Sequence, residues 1–138
     1  MRFIAVPEIW RLFTHDFVEK SRFNLKISEF KTLMHLHRVE GKPMGFYGHK
    51  VDVEKGSFTY LVDKLEKKGF VKRVFVEGDR RQKRLILTEE GHEVTKQIHQ
   101  QFSAHFNKKL EQLSGKDQQK LYKALEMLDE VRSVMNEQ

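Results

Sequence analysis

Apolar residues recur at three- and four-residue spacing along most of this chain, the period of one buried helix face. Val6, Ile9, Trp10, Phe13 and Phe17 mark the first stripe, and Pro7 suits the first turn of a helix over about Val6 to Glu19. A second helix is expected over Asn24 to Val39, with Ser28 as N-cap and Glu29 in the dipole-favoured first turn. Phe30, Leu33, Met34 and His37 would face inward there, and Gly41 and Pro43 close the segment. Met44 to Lys50 carries Gly45 and Gly48. Each glycine disfavours helix by roughly 1 kcal/mol relative to alanine, so only a short helix is expected. Phe58, Leu61, Val62 and Leu65 then define a stronger helix, stopped by two cations at its negative dipole end and by Gly69.

The period changes from there. Phe70 to Val76 and Lys83 to Leu87 are β-rich runs joined by Glu77-Gly78-Asp79-Arg80-Arg81, a hairpin with a longer, glycine-containing loop. Helical spacing resumes at Thr88, the expected N-cap, with Glu89 and Glu90 at the positive dipole end. Val94, Ile98, Phe102, Phe106, Leu110 and Leu113 follow, and Ser114-Gly115 ends that helix. A last helix from about Asp117 carries Leu121, Leu125, Leu128, Val131 and Met135 on one face, with Ala124 beside them. Each of these two helices has an apolar seam with no obvious partner within the chain, which predicts a homodimer. The fold class expected is mainly α with a small β-hairpin, and a helix followed by a basic-tipped hairpin is the layout of a winged helix, whose usual partner is duplex DNA.

Composition narrows the function. A chain of 138 residues is most simply one domain, able to bury a core without disulfides or metal. No apolar run approaches the roughly 20 residues a transmembrane helix needs, and no targeting segment is recognisable, so the expected compartment is the cytoplasm. There is no cysteine, which excludes thiol redox sensing and cysteine-ligated zinc. Net charge is +6, and eleven Lys/Arg against six Asp/Glu lie between Lys50 and Arg84. Five of the six excess charges therefore sit on the helix and hairpin, the electrostatic footprint of a nucleic-acid binder. No cysteine nucleophile, glycine-rich phosphate loop or GxSxG is present, and an enzyme is not expected.

The run Ser57-Phe58-Thr59, Leu61 to Val71, Asp79-Arg80-Arg81 and Leu85 to Gly91 resembles the MarR family of winged-helix transcriptional regulators. The likeness lies in the order of recognition helix, glycine stop, wing with an Asp-Arg-Arg tip and LT-x-x-G helix start, and it covers nearly the whole chain. It implies a winged helix-turn-helix lobe over about 25–88, with dimerisation helices over about 1–22 and 89–138. It further implies that each subunit puts the helix containing Gly56 to Lys68 into a major groove of a pseudo-palindromic operator, with its wing beside the minor groove. On that helix Lys55, Gly56, Ser57, Thr59 and Tyr60 lie off the core stripe near the N-terminus, where side chains reach base edges, and Lys64 one turn on is a phosphate contact. In the wing, the family pattern makes Asp79 the carboxylate that orients Arg81 for minor-groove insertion, with Arg80, Lys83 and Arg84 as phosphate candidates. Glu54 stands where the family often has a small N-capping residue, so either Asp52 caps or Glu54 points away. Tyr60 replaces a frequent basic or small polar residue.

The family's usual behaviour is repression relieved by a small effector, here an apolar or aromatic molecule. Trp10, Phe13 and Tyr47 are candidates to line its pocket, with plain core packing as the alternative use of the same aromatics. No cofactor is implied. A zinc-responsive regulator of the same fold is a rival, given seven histidines. However, His92 and His99 are seven apart and His105 six further on, not the i, i+4 spacing that chelates from one helix, so no metal site is assigned. A second rival is an architectural protein coating DNA without sequence preference.

Overall fold

The computed structural model describes residues 4–136, apart from the side chains of Asp79 and Arg80. Among these described residues six helices and one hairpin follow in the order α1 (Ala5–Glu19), α2 (Ile27–Arg38), α3 (Met44–Lys50), α4 (Lys55–Lys67), β1 (Val71–Val76), β2 (Asp79–Leu87), α5 (Glu89–Leu110) and α6 (Gly115–Asn136). The chain divides into two compact units, Met1–Phe102 and Ser103–Gln138. The mainly helical fold with one antiparallel hairpin is the class the hydrophobic pattern predicts.

The core of the first unit gathers the inward stripes of α2 and α4. Leu33, Leu36, Val62 and Leu65 are fully buried, with Phe30, Phe58 and Leu61 nearly so. Val71, Leu85 and Leu87 close it from the hairpin and Ile98 from α5. Burying side chains of this size removes about 1.5–3 kcal/mol of unfavourable hydration each, and this offsets the chain's ordering entropy. Phe17 of α1, Phe30 of α2 and Phe102 of α5 pack mutually in tilted and edge-on geometry, with ring centroids 5.3 to 5.8 Å apart. The first stripe is split: Phe17 enters the core beside Val18, while Val6, Ile9 and Trp10 stay exposed.

Several boundaries depart from expectation, each for a local reason. Ser28 does not cap α2; the N-cap is Lys26, whose backbone N–H donates to Glu29 Oε1 at 3.0 Å. Glu29 is buried, and its other oxygen accepts Lys68 Nζ at 2.9 Å. One carboxylate thus fixes the start of α2 and the end of α4 together, and Lys68 also donates to the Asn24 carbonyl at 3.0 Å. Neither Asp52 nor Glu54 caps α4: Glu54 occupies the N-cap without a side-chain bond, and Asp52 takes a left-handed turn at φ 57°. The wing loop is shorter than expected. Val76 pairs with Asp79, so Glu77 and Gly78 alone form the turn, Gly78 at φ 86°, with a register shift after Phe75. Gly115 opens α6 instead of ending α5, and Ser114 caps it through its hydroxyl to the Asp117 N–H at 3.1 Å.

The start of α5 follows the sequence closely. Thr88 Oγ1 accepts the Gly91 N–H at 2.9 Å and donates to the Gly69 carbonyl. A Cβ on Gly91 would lie 1.9 Å from the Phe70 carbonyl oxygen, so only glycine permits this approach of helix to hairpin.

Candidate DNA-binding surface

α4 presents its apolar stripe to the core, and that leaves Lys55, Gly56, Ser57, Thr59 and Tyr60 exposed along the opposite side of its first two turns. Gly56 has open space around its Cβ position, so nothing within the chain demands glycine there. Its use would be close backbone approach to an outside partner. Thr59 Oγ1 folds back and donates to the Lys55 carbonyl at 3.1 Å. Tyr60 is 62% exposed, and Lys64 Nζ lies 4.7 Å from its ring centroid. The hydrogen bond with the Tyr60 hydroxyl raises the Lys64 ammonium above its ordinary pKa. Lys64 is thereby a positioned cation, not a freely sweeping one.

The hairpin is fastened to α4 by Arg73. Its guanidinium meets Glu66 Oε2 at 2.6 Å and Asp63 Oδ1 at 2.7 Å, a forked arrangement that only arginine makes. This side chain is mostly buried, and it consumes two of the carboxylates that would otherwise repel phosphate beside the recognition helix. Sequence reasoning counted Arg73 only as part of the basic excess. Its partners lie seven and ten residues away, across a helix-to-strand junction that no single periodicity reveals.

Between α3, α4 and the hairpin lies an open groove of about 660 Å³. Met44, Val53 and Phe58 contribute apolar walls, and Lys55, Thr59, Arg73, Arg81 and Lys83 line it with donors and positive charge. Lys55 and Thr59 of the helix are thus brought together with Arg81 and Lys83 of the wing. Gly48 belongs to this wall too: a Cβ there would press within 3.2 Å of the Phe58 ring, which explains a glycine inside a helix.

Two expected site residues have partners within the fold. Arg84 Nη1 donates to the Gly41 carbonyl at 3.0 Å, and the residue forms an isolated bridge with Pro43. Together with the backbone bonds Gly41 N–H to Leu85 O and Leu85 N–H to Lys42 O, it stitches β2 to the α2–α3 loop. Arg84 thus has a scaffold contact in addition to its place among the wing cations. Tyr47 is fully buried; its hydroxyl donates to Val39 O at 2.7 Å and accepts the Lys42 N–H at 3.2 Å. Burial raises its pKa, so it stays a neutral core phenol and not an open pocket wall. Trp10 stands elsewhere, its ring tilted against Phe102 with centroids 6.4 Å apart. The proposed side-chain pairing of Asp79 with Arg81, and the role of Arg80, lie outside the described residues. Among the described residues no group of three or more His, Asp or Glu side chains is placed to hold a metal ion.

A recognition helix, a hairpin strapped to it and a basic groove between them define a winged-helix DNA-binding protein. The MarR family model matches residues 25–83, which span α2 to the middle of β2. An uncharacterised HTH-type transcriptional regulator, YfiV of Bacillus subtilis (strain 168), is 29% identical over 129 residues, covering 88% of this chain and 81% of that protein. Among solved structures, Streptococcus pneumoniae FabT in complex with DNA aligns over 95% of this chain and 94% of its own, with a TM-score of 0.73 at 22% identity. NadR in complex with 4-hydroxyphenylacetate aligns over 93% of this chain and 92% of its own, with a TM-score of 0.75 at 19% identity. Residues 25–83 thus match the MarR family, and the chain as a whole is similar in sequence and fold to winged-helix transcriptional regulators. The curated relatives it matches are HTH-type transcriptional regulators. Among the described residues no helix is long and apolar enough to cross a membrane.

Proposed function

We propose that this protein is a homodimeric, sequence-specific repressor that reads a pseudo-palindromic operator and is released by a small apolar or aromatic effector. The observation that carries the DNA reading is the shared groove: Lys55 and Thr59 of α4 face Arg81 and Lys83 of the wing across one basic opening. In that arrangement α4 enters the major groove, Lys55, Ser57, Thr59 and Tyr60 meet base edges, and Lys64 and Lys83 meet phosphates. Gly56 lets the helix backbone approach the bases, and Arg81 extends toward the minor groove. The solved DNA complex of FabT and the ligand complex of NadR support this class of behaviour by likeness of fold.

The dimer is supported by the apolar surface that the chain leaves open. α6 has no buried residue, and Leu125, Leu128, Val131 and Met135 are all at least 42% exposed. Exposed apolar surface on this scale marks an interaction face. Two copies would place two α4 helices on successive major grooves, roughly 34 Å apart, and an effector would act by favouring another separation. Selection of bound sites from random duplex tests the whole reading. Enriched inverted half-sites about one helical turn apart are expected; recovery of no common sequence would favour an architectural role.

A further inference from the structure

The wing carries an exposed aromatic that neither the core nor the expected contacts use. Phe75 of β1 is 61% exposed, although phenylalanine is among the residues most costly to leave in water. Singly exposed apolar residues are ordinary, so its surroundings decide what it means. Directly paired residues of antiparallel strands share a face, and the pairs Val71–Leu87, Arg73–Leu85 and Phe75–Lys83 form one row. The first pair is buried in the core. In the second, Leu85 is buried and Arg73 is tied to Asp63 and Glu66 of α4. The third pair therefore continues the α4-facing side of the wing outward, past the point where the helix covers it.

Lys83 lines the basic groove and holds its ammonium 6.0 Å from the Phe75 ring centroid. Immediately beyond, the register shift after Phe75 ends the regular pairing. The result is an exposed ring directly beside a groove-lining cation, with Arg81 further along the groove's lining. A nucleic-acid backbone alternates an apolar sugar with an anionic phosphate. A wall alternating an aromatic ring with an ammonium complements that repeat in both chemistry and charge.

We propose that Phe75 is a DNA-contacting residue whose ring packs against deoxyribose while Lys83 meets the adjoining phosphate, so that the wing grips one backbone strand through an apolar as well as an ionic contact. This rests on the winged-helix DNA reading above. The contact is to sugar, so it strengthens binding to any duplex and carries no base preference.

The test is the affinity of the dimer for its selected operator and for a random duplex, each across a salt series, for wild type, Phe75→Ala, Phe75→Leu and Lys83→Ala. Phe75→Ala should weaken both duplexes by about five- to tenfold with the salt slope unchanged, because no charge is removed. Phe75→Leu should retain part of that affinity. Lys83→Ala should lower the salt slope by about one phosphate contact. Unchanged affinity in Phe75→Ala would overturn the proposal. So would a reduced salt slope in that variant, which would assign the loss to a displaced Lys83. A changed sedimentation coefficient would overturn it by showing that Phe75 joins protein copies. If wild type bound no duplex, the DNA reading itself would fail, a result distinguishable from an insensitive Phe75.

Discussion

α4 and α6 are both amphipathic helices with apolar residues at the same spacing, yet the chain treats them in opposite ways. α4 buries Phe58, Leu61, Val62 and Leu65 against α2, α3 and the hairpin, and turns its polar side outward. α6, with 22 residues, buries none and leaves Tyr122, Leu125, Met127, Leu128, Val131, Val134 and Met135 exposed. Met127 and Val134 widen that surface beyond the single row read from the spacing. An apolar stripe reports that a helix is to be covered; it does not say whether the cover comes from its own chain. In α4 the cover is internal, so the outward side is free to read DNA. In α6 the missing cover is the argument for a second copy.

Breaking the uncovered side should have the largest effect. Leu125→Glu with Leu128→Glu puts two charges on α6 and should convert a dimer to a monomer in sedimentation, with operator affinity falling more than about a hundredfold as two-site binding is lost. The far-ultraviolet circular dichroism of the first unit should persist. A variant that remains dimeric would show that α6 is covered in another way.

Damage to the covered side should appear as stability and not as assembly. Gly91→Ala forces a methyl group onto the Phe70 carbonyl and should cost about 3 kcal/mol, read from urea unfolding. Glu29→Ala leaves Lys68 without its buried partner and should cost a similar amount, on the order of 3 kcal/mol. Native-like midpoints in both would mean that the junctions joining α2, α4, the hairpin and α5 tolerate rearrangement. The outward side of the lobe should show the converse. Arg81→Ala should weaken operator binding by about 1–3 kcal/mol with little change in melting temperature, and an unchanged affinity would refute the wing assignment.

The smallest effect is a pH dependence within the lobe. Burial, then Lys50, Arg38 and Lys31, depress the His35 pKa below its ordinary value of 6.5. The folded state therefore resists protonation that the unfolded chain accepts. His35 leaves stability untouched above about pH 6.5 and lowers it as pH falls from there through the depressed folded pKa. His35→Gln should flatten that part of the stability–pH profile; an identical slope would assign it elsewhere.

Much of this was legible from residue order because it depends on local chemistry. The stop at Gly69, the cap at Thr88 and the stripe of α4 each need only neighbours within a few residues, and each is present. What was missed involves partners distant in sequence. Glu29 is the first-turn carboxylate the spacing predicts, but its second role, a buried clamp to Lys68, lies 39 residues on. Arg84 looked like one more wing cation, yet its Nη1 also donates to the Gly41 carbonyl, 43 residues back. Tyr47 was an aromatic of open purpose until its hydroxyl found Val39 and Lys42. The turn at Glu77-Gly78 was misjudged because the strand continues through charged residues that carry no apolar signal.

The contrast between a covered helix that reads and an uncovered helix that pairs is tested most directly by the stoichiometry on a selected operator, measured by analytical ultracentrifugation. Two chains per duplex bearing inverted half-sites are predicted, with the α6 double variant reduced to weak binding by single chains. One wild-type chain per duplex, at full affinity and without an inverted repeat, would contradict the account.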